Sequence, residues 1–427
     1  MYTNLQRFTK RIIKLTIYGI LLIGSDKMKF IKNLTEKEYQ SFWEKTENNH
    51  FMQSYEWGQA CKKNRNQTPC YVGLKNDKNK LVAAALLLKK KTPLNMCYFY
   101  APRGFTMDFS NKEVLTEFTK HLKEYLKEEN AIYLKIDPPL MYQEVDTEGN
   151  KVENGSNNYD IFNNFIELGY KHKGFNKLYE GNQPRYTFRT FYNKFNSFDE
   201  VEKTYSKSFS RPIKRSYNYD LEVYQSDEVK TFHELIKLIS SKDGFNEYSF
   251  DYYNNVFEEL NKKRYIKVFN VKINPSKLID KFTKELEKEK NDDRKVKIQK
   301  DIDYFKEVSK EHKEEYTCAS LICTYSKTGA WSLYIGNDEV ATYTGTVNRL
   351  YYEFMKDAFD NKYEYADLFG VVGDPNTKYK NLAGIFEYKR KIGGDLVEFV
   401  GEFDLINKPL WYKVLPTLLK IYRKIKK

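Results

Sequence analysis

Cys318-Ala-Ser-Leu-Ile-Cys-Thr-Tyr325 and Ala330-Trp-Ser-Leu-Tyr-Ile335, separated by Ser326-Lys-Thr-Gly329, read as a pair of strands. A helical pattern follows from Val347 to Phe359, and Tyr363-Glu-Tyr-Ala-Asp-Leu-Phe369 then reads as a third strand closing at Gly370. The same order occurs earlier in the chain. Cys70–Leu74 and Leu81–Leu88 read as strands, and the second is a continuous apolar run of the kind buried on both faces. Cys97–Ala101 is a further strand ending in Pro102-Arg103-Gly104. A helix from Ser110 places Val114, Leu115, Phe118, Leu122, Tyr125 and Leu126 on one face. Ala131–Ile136 then reads as a strand stopped by Asp137-Pro-Pro139. Upstream, Thr35-Glu-Lys-Glu38 is a capping box that opens a helix running to about Asn48, and Tyr55-Glu-Trp-Gly58 lies on a second short helix. The fold class is therefore α/β (α+β), with a strand–strand–helix–strand unit present twice; two unrelated α/β domains give the same reading.

A chain of 427 residues exceeds the size at which a single core usually divides. We expect a first domain over 28–175 and a second over 176–427, with the C-terminal segment packing back on the first. Residues 276–316 interrupt the second unit. Between Ser276 and Glu315 there is no glycine or proline, and Lys, Glu and Asp dominate. Ile279, Phe282 and Leu286 recur at helical spacing, as do Ile298, Ile302, Phe305 and Val308, with Asn291-Asp-Asp293 between them. Such narrow stripes predict an inserted antiparallel coiled-coil arm whose helices pack on each other rather than into a globular core. Each limb would reach roughly 25–30 Å at the helical rise. A solvated helix without a partner is the plainer alternative.

The net charge is +13 with a pI near 9.0, which favours polyanionic partners such as nucleic acid, nucleotide-linked sugars or anionic lipid headgroups. The five cysteines are scattered without a Cys-x-x-Cys pair, which fits a reducing compartment. The five histidines show no metal-ligand spacing. No phosphate-binding Gly-x-x-x-x-Gly-Lys loop or Gly-x-Ser-x-Gly elbow occurs. The chemistry is expected to need no metal, ATP site or serine nucleophile. Arg7, Lys10, Arg11 and Lys14 precede an apolar run from Leu15 to Gly24 that is too short to span a bilayer and lacks a small-residue cleavage site. Met28-Lys-Phe-Ile reads as a fresh start, so residues 1–27 are expected to be an over-extended start, with a weak membrane anchor as the alternative.

Several motifs, in order, carry a resemblance. They are Phe51-Met-Gln-Ser54 with Trp57, Tyr100-Ala-Pro-Arg-Gly104 with Asp108, Ile213-Lys-Arg215, Gly370-Val-Val-Gly373, Gly384-Ile-Phe-Glu-Tyr-Lys389, Val397-Glu-Phe-Val-Gly-Glu-Phe-Asp404 and Asn407-Lys-Pro409. From Met28 onward the chain resembles the FemABX aminoacyltransferases. The resemblance implies two tandem acetyltransferase-like (GNAT-like) domains and, at 276–316, the helical arm of the FemA-type branch. It implies transfer of an amino acid from aminoacyl-tRNA, a co-substrate, to the stem-peptide amine of lipid II or a UDP-MurNAc-peptide precursor. No cofactor is implied. A cytoplasmic setting is expected; the basic, amphipathic segment Trp411–Lys427 is read either as a peripheral contact with the inner membrane leaflet or as a helix packed on the first domain, and the arm as a means of homo- or hetero-dimerisation.

By the same resemblance, Lys389 stabilises negative charge near the acyl centre; otherwise it is a surface lysine in Lys389-Arg-Lys391. Asp108 would accept the amine proton or orient the acceptor, or else serve as a turn or cap. Lys214 and Arg215 match the diphosphate-binding region, where Arg suits bidentate contact and Lys acts as a point charge. Tyr100 and Arg103 stand where a strand gives way to a loop, a usual place for site residues. Tyr334 matches an aromatic lining the precursor channel, and Trp57 offers a stacking face, though both residue types more often pack a core. Gly58-Gln-Ala60 follows Trp57 where shorter family members carry a phosphate-binding lysine. Two rival readings remain: an acyl-CoA-dependent N-acyltransferase, for which Arg390-Lys-Ile-Gly-Gly394 is a partial pyrophosphate turn, and a non-enzymatic basic RNA-binding or tethering protein.

Overall fold

The structure, a computed structural model, describes residues 28–425 except Asn48, Asn66 and Phe245. The expectations for 1–27 lie outside the described residues. Two mixed sheets form the frame. The first runs, in spatial order, Lys29–Ile31, Thr68–Lys75, Leu81–Thr92, Met96–Ala101, Ala131–Ile136, Phe403–Ile406 and Tyr170–His172. The second runs Glu222–Ser226, Ile266–Ile273, Tyr316–Tyr325, Gly329–Asn337, Tyr365–Val371, Tyr186–Phe191, Asp395–Phe399 and Met141–Glu144. Each contains an antiparallel hairpin, a helix, and a strand that returns parallel to the second arm of the hairpin. Met96–Ala101 pairs in parallel with Ala131–Ile136, and Gly329–Trp331 with Tyr365–Asp367. The repeat of the two halves is thus present in three dimensions.

The division at 175 does not follow the sheets. Met141–Glu144, from the first stretch, pairs with Asp395–Phe399 at the edge of the second sheet. Phe403–Ile406, from the second stretch, inserts between Ala131–Ile136 and Tyr170–His172 in the first. Hydrophobic alternation identifies a strand but not its neighbours, so this exchange was not legible in the sequence.

The apolar run Leu81–Leu88 shows why one segment serves two cores. Ala83, Ala85 and Leu87 face a cluster with Phe118, Leu122 and Leu126 of the helix Lys112–Glu128. Ala84, Leu86 and Leu88 face the opposite way, into a cluster shared with Phe232, Tyr253, Val268, Ile322 and Trp331 of the second unit. Both sides are apolar because the sheet is covered on both sides. The capping box is formed as read: Thr35 accepts from the Glu38 amide and Glu38 reaches back to the Thr35 amide. The helix it opens ends at Lys45.

The inserted segment forms two helices, Pro275–Lys288 and Asp292–Val308, packed on each other. Here the sequence reading needs correction. Leu278, Phe282, Ile302 and Phe305 are buried within the main core of the second unit, against Tyr219 and Val340. The base of the hairpin is therefore part of a globular core. Its stripes were too narrow to show this because the missing apolar surface is supplied by aromatic residues from elsewhere, including Tyr343 stacked 3.7 Å from Tyr304.

On the helix Tyr55–Arg65, Glu56 is 3% exposed and its Oε2 has no hydrogen-bond partner among the described residues. Burial pushes this carboxyl up to about 7. Because the folded-state value is raised, the destabilising contribution grows as pH rises from about 4.5 to about 7 and is constant above that. Glu56→Gln is therefore expected to raise the urea-unfolding free energy by about 1–3 kcal/mol at pH 8 and by much less at pH 5.

Candidate active site

The two parallel strands of the second sheet part after Trp331 and Asp367. Beyond that point, Gly329–Asn337 stays with its hairpin partner, and Tyr365–Val371 stays with Tyr186–Phe191. Polar and cationic side chains from both sheets gather along the seam at this split. On the first sheet, Tyr100 donates to Asp137 Oδ2 at 2.7 Å, and the Arg103 amide donates to Asp137 Oδ1 at 2.6 Å. All three are buried. Burial pushes the Asp137 carboxyl up to about 6, despite the nearby Arg103 guanidinium. Burial also lowers Arg103 from its ordinary value, and its Nε has no hydrogen-bond partner among the described residues.

On the second sheet, Arg189 Nε donates to Asp367 Oδ2 at 2.6 Å. The Arg103 and Arg189 guanidinium carbons stand 4.6 and 5.0 Å from the Phe399 ring centroid. Nearby, Arg185 lies 2.7 Å from Glu398, whose carboxylate also accepts from Tyr186 and Gln143. His50 sits against Trp331, with ring centroids 4.6 Å apart. Burial first, then Arg103 and Arg189, hold its imidazole well below the ordinary value, so it is neutral.

Lys389 approaches this seam from the helix Lys380–Ile392. It is half-buried, and its ammonium donates to the carbonyls of Phe369 at 3.2 Å and Gly370 at 3.0 Å. Burial lowers its pKa to about 8, opposed by Asp367. Three of the sequence-predicted residues thus come together. Arg103 Nη2 donates to the Pro184 carbonyl at 2.7 Å, Pro184 lies on Gly370, and Gly370 accepts from Lys389. Gly370 is required by this approach, since a Cβ there would stand 2.1 Å from Pro184 Cγ.

The remaining residues lie elsewhere. Asp108 is exposed, and its carboxylate accepts from the Ser110 amide and hydroxyl at 2.9 and 2.6 Å. No hydrogen bond among the described residues joins it to Asp137 or Lys389. Trp57 is 6% exposed and edge-on to Phe51, a packing position. Tyr334 lies 3.2 Å from the Tyr252 hydroxyl in an aromatic group with Tyr253 and Phe232. Lys214 and Arg215 are exposed on the last turn of the helix Lys207–Ser216, without a carboxylate partner among the described residues. That helix begins against the Lys389 helix, where the Ser206 amide donates to Lys391 O, so the pair lies about 12 Å further along it. A cavity of about 980 Å³ around Tyr304, His312, Tyr316 and Asp338 is lined by none of these residues.

Sequence reasoning missed Asp137, Arg189, Asp367 and the Arg185–Glu398 pair. A signal existed for four of these five residues. Arg189, Asp367 and Glu398 are charged residues within strand runs rich in apolar and aromatic residues, where an unpaired charge would be costly. Asp137 stands at a strand end just before two prolines.

The tandem pair of mixed sheets, each with its returning parallel strand, defines the acetyltransferase-like (GNAT-like) class. The FemAB family profile matches residues 34–299 and 294–420. The chain belongs to the FemAB family and is a transferase. The lipid II:glycine glycyltransferase of Staphylococcus epidermidis (strain ATCC 12228) is 27% identical over 429 residues, spanning 92% of this chain and 99% of the relative. That of Staphylococcus aureus (strain N315) is 28% identical over 436 residues with the same coverage. The crystal structure of FemX superposes with a TM-score of 0.73 at 25% identity, over 90% of this chain and 99% of FemX.

Proposed function

We propose that this chain is an aminoacyltransferase that moves an amino acid from aminoacyl-tRNA to the stem-peptide amine of lipid II or its UDP-linked precursor, building the peptidoglycan interpeptide bridge. The observation that carries the reading is the state of Lys389. An ammonium has three N–H donors, and two are held by the Phe369 and Gly370 carbonyls. One remains, fixed in direction and without a bonded carboxylate, to receive an oxyanion.

The reaction asks for little else. The donor is already an activated ester, and the acceptor amine is the nucleophile. Attack by the amine on the ester carbonyl forms the C–N bond and a tetrahedral oxyanion; the nitrogen gives up a proton, and collapse breaks the ester C–O bond and releases the tRNA terminal oxygen, which takes up a proton to become the hydroxyl. The protein's share is alignment and charge stabilisation. Arg103, Arg189 and Lys389 supply positive potential at the domain seam, while the exposed Lys214 and Arg215, the latter donating to the Tyr343 carbonyl, suit the diphosphate of the acceptor. The names of the staphylococcal relatives support lipid II as acceptor.

Contact with the inner leaflet fits the helix Pro409–Ile425. Leu415 is buried near Met96 and Ile132, whereas Leu410 is 79% and Val414 46% exposed. No helix among the described residues is long and apolar enough to cross a membrane.

The test combines purified protein, either lipid II or the UDP-linked precursor, and a set of charged tRNAs, with mass spectrometry of the stem peptide. A gain of one amino-acid residue with one donor is expected. Unchanged lipid II and unchanged UDP-linked precursor with every donor would overturn the proposal.

A further inference from the structure

We infer that Asp367 is a positioning residue for Lys389: it clamps a β-bulge that turns two backbone carbonyls onto the lysine ammonium. The inference rests on the reading of Lys389 given above. The bulge is visible in the register between Tyr365–Val371 and Tyr186–Phe191. Tyr365, Ala366 and Asp367 pair with Phe191, Thr190 and Arg189, but the next pairs are Gly370 with Thr187 and Val371 with Tyr186. One strand advances three residues while the other advances two. The extra residue falls at Leu368–Phe369, and Phe369 takes φ +60°, a left-handed conformation unusual for a bulky side chain.

A buried carboxylate spans this irregularity. Asp367 Oδ1 accepts from the Phe369 amide at 2.7 Å and from the Thr187 hydroxyl at 2.5 Å, and Oδ2 accepts from Arg189 at 2.6 Å. The bond to the Phe369 amide closes the bulge on itself. Its consequence lies on the carbonyl side, where Phe369 O and Gly370 O both meet Lys389 Nζ. Gly370 O also accepts from Tyr179 at 3.1 Å. A regular strand would point successive carbonyls in opposite directions, so an ammonium could not take both.

Asp367 acts on Lys389 through charge as well as through shape. It opposes the lowering of the lysine by burial, without touching it directly. Of the other charged or titratable groups around this site, Arg189 bonds Asp367, Tyr179 bonds Gly370 O, and Arg390 pairs with Glu387 and Glu148, while the Tyr388 hydroxyl and Arg103 Nε have no hydrogen-bond partner among the described residues. An ordinary structural ion pair between Asp367 and Arg189 would act on Lys389 through its charge alone, so a variant that keeps the carboxylate but loosens the bulge would leave the titration of Lys389 unlowered.

The experiment measures Lys389 directly, by trace acylation with acetic anhydride across pH and mass spectrometry of its peptide, alongside transfer kinetics. In Asp367→Asn, Lys389 is expected to titrate about one unit lower than in the wild type, and kcat to fall about tenfold with KM for the acceptor changed less than about twofold. Thr187→Val retains the charge and removes one of the three donors to the carboxylate. It is expected to shift the labelling in the same direction by less, and it serves if Asp367→Asn does not fold. A folded variant with wild-type Lys389 labelling overturns the inference, whatever its activity. Labelling shifted downward in Thr187→Val, where the carboxylate is retained, supports the bulge device, and the same shift in a protein that transfers nothing overturns the catalytic reading of Lys389.

Discussion

Replacing Lys389 with methionine is expected to lower kcat for aminoacyl transfer by roughly 10²- to 10³-fold, the range found when one donor to a developing oxyanion is removed. Methionine keeps much of the length and apolar stem while deleting the charge. KM for each substrate is expected to stay within about threefold, because the missing interaction belongs to the tetrahedral stage rather than to ground-state binding. The pH profile gives an independent check. With its pKa lowered to about 8, Lys389 is cationic below that value and loses its charge above it. Its contribution to rate is present on the acid side and lost as pH rises through about 8, whereas the acceptor amine gains reactivity as it deprotonates. Wild-type kcat should therefore turn downward on the alkaline side, and the Lys389→Met variant should lose that limb. A profile unchanged in shape would remove Lys389 from the reacting centre. Lys389→Arg should not restore the rate, since a planar fork cannot place its donors on the two carbonyls as a compact ammonium does.

The second large effect is on stability. Asp137→Ala is expected to reduce the unfolding free energy by about 3–5 kcal/mol at pH 7, measured from urea unfolding. The substitution leaves the Tyr100 hydroxyl without the acceptor it now meets at 2.7 Å and deprives the buried Arg103 guanidinium of its nearby anion. Asp137→Asn retains an oxygen for the Arg103 amide and an NH₂ group facing the Tyr100 oxygen, so its cost should be clearly smaller. A pH series separates charge from shape. The folded-state pKa of Asp137 is raised from 3.8 to about 6, so its contribution to stability declines as pH rises through that window and is flat above it. That slope should vanish in Asp137→Asn. Equal losses in the alanine and asparagine variants would show that the charge, which both remove, rather than the hydrogen bonds that asparagine keeps, holds this corner of the seam.

The readable parts of the site were those attached to local chain punctuation. Tyr100 and Arg103 were found because a strand visibly ends at Ala101-Pro-Arg-Gly104, and Lys389 because its motif resembled that of known aminoacyltransferases. Asp108 lies at a similar strand end, yet its bonds go to its own loop. Strand ends nominate residues, but which of them share a site depends on the crossing of the sheets. Trp57 shows the converse. Nothing local distinguishes an aromatic that offers its face from one set edge-on in a core, and burial beneath Phe51 decides that question.

The sequence by itself determined the strands, the main helices, the capped helix start and the repetition of the unit, because these depend on hydrophobic period and short-range bonding over a few residues. It also carried the family resemblance. Only the tertiary structure decided the exchange of Met141–Glu144 and Phe403–Ile406 between sheets, the burial of the hairpin's base, and the bulge beneath Lys389. Each depends on partners far apart in the chain, such as Asp367 with Thr187 and Arg189 or Arg103 with Pro184. The energy of a buried charge depends on which distant group neutralises it, and no local pattern encodes that partner.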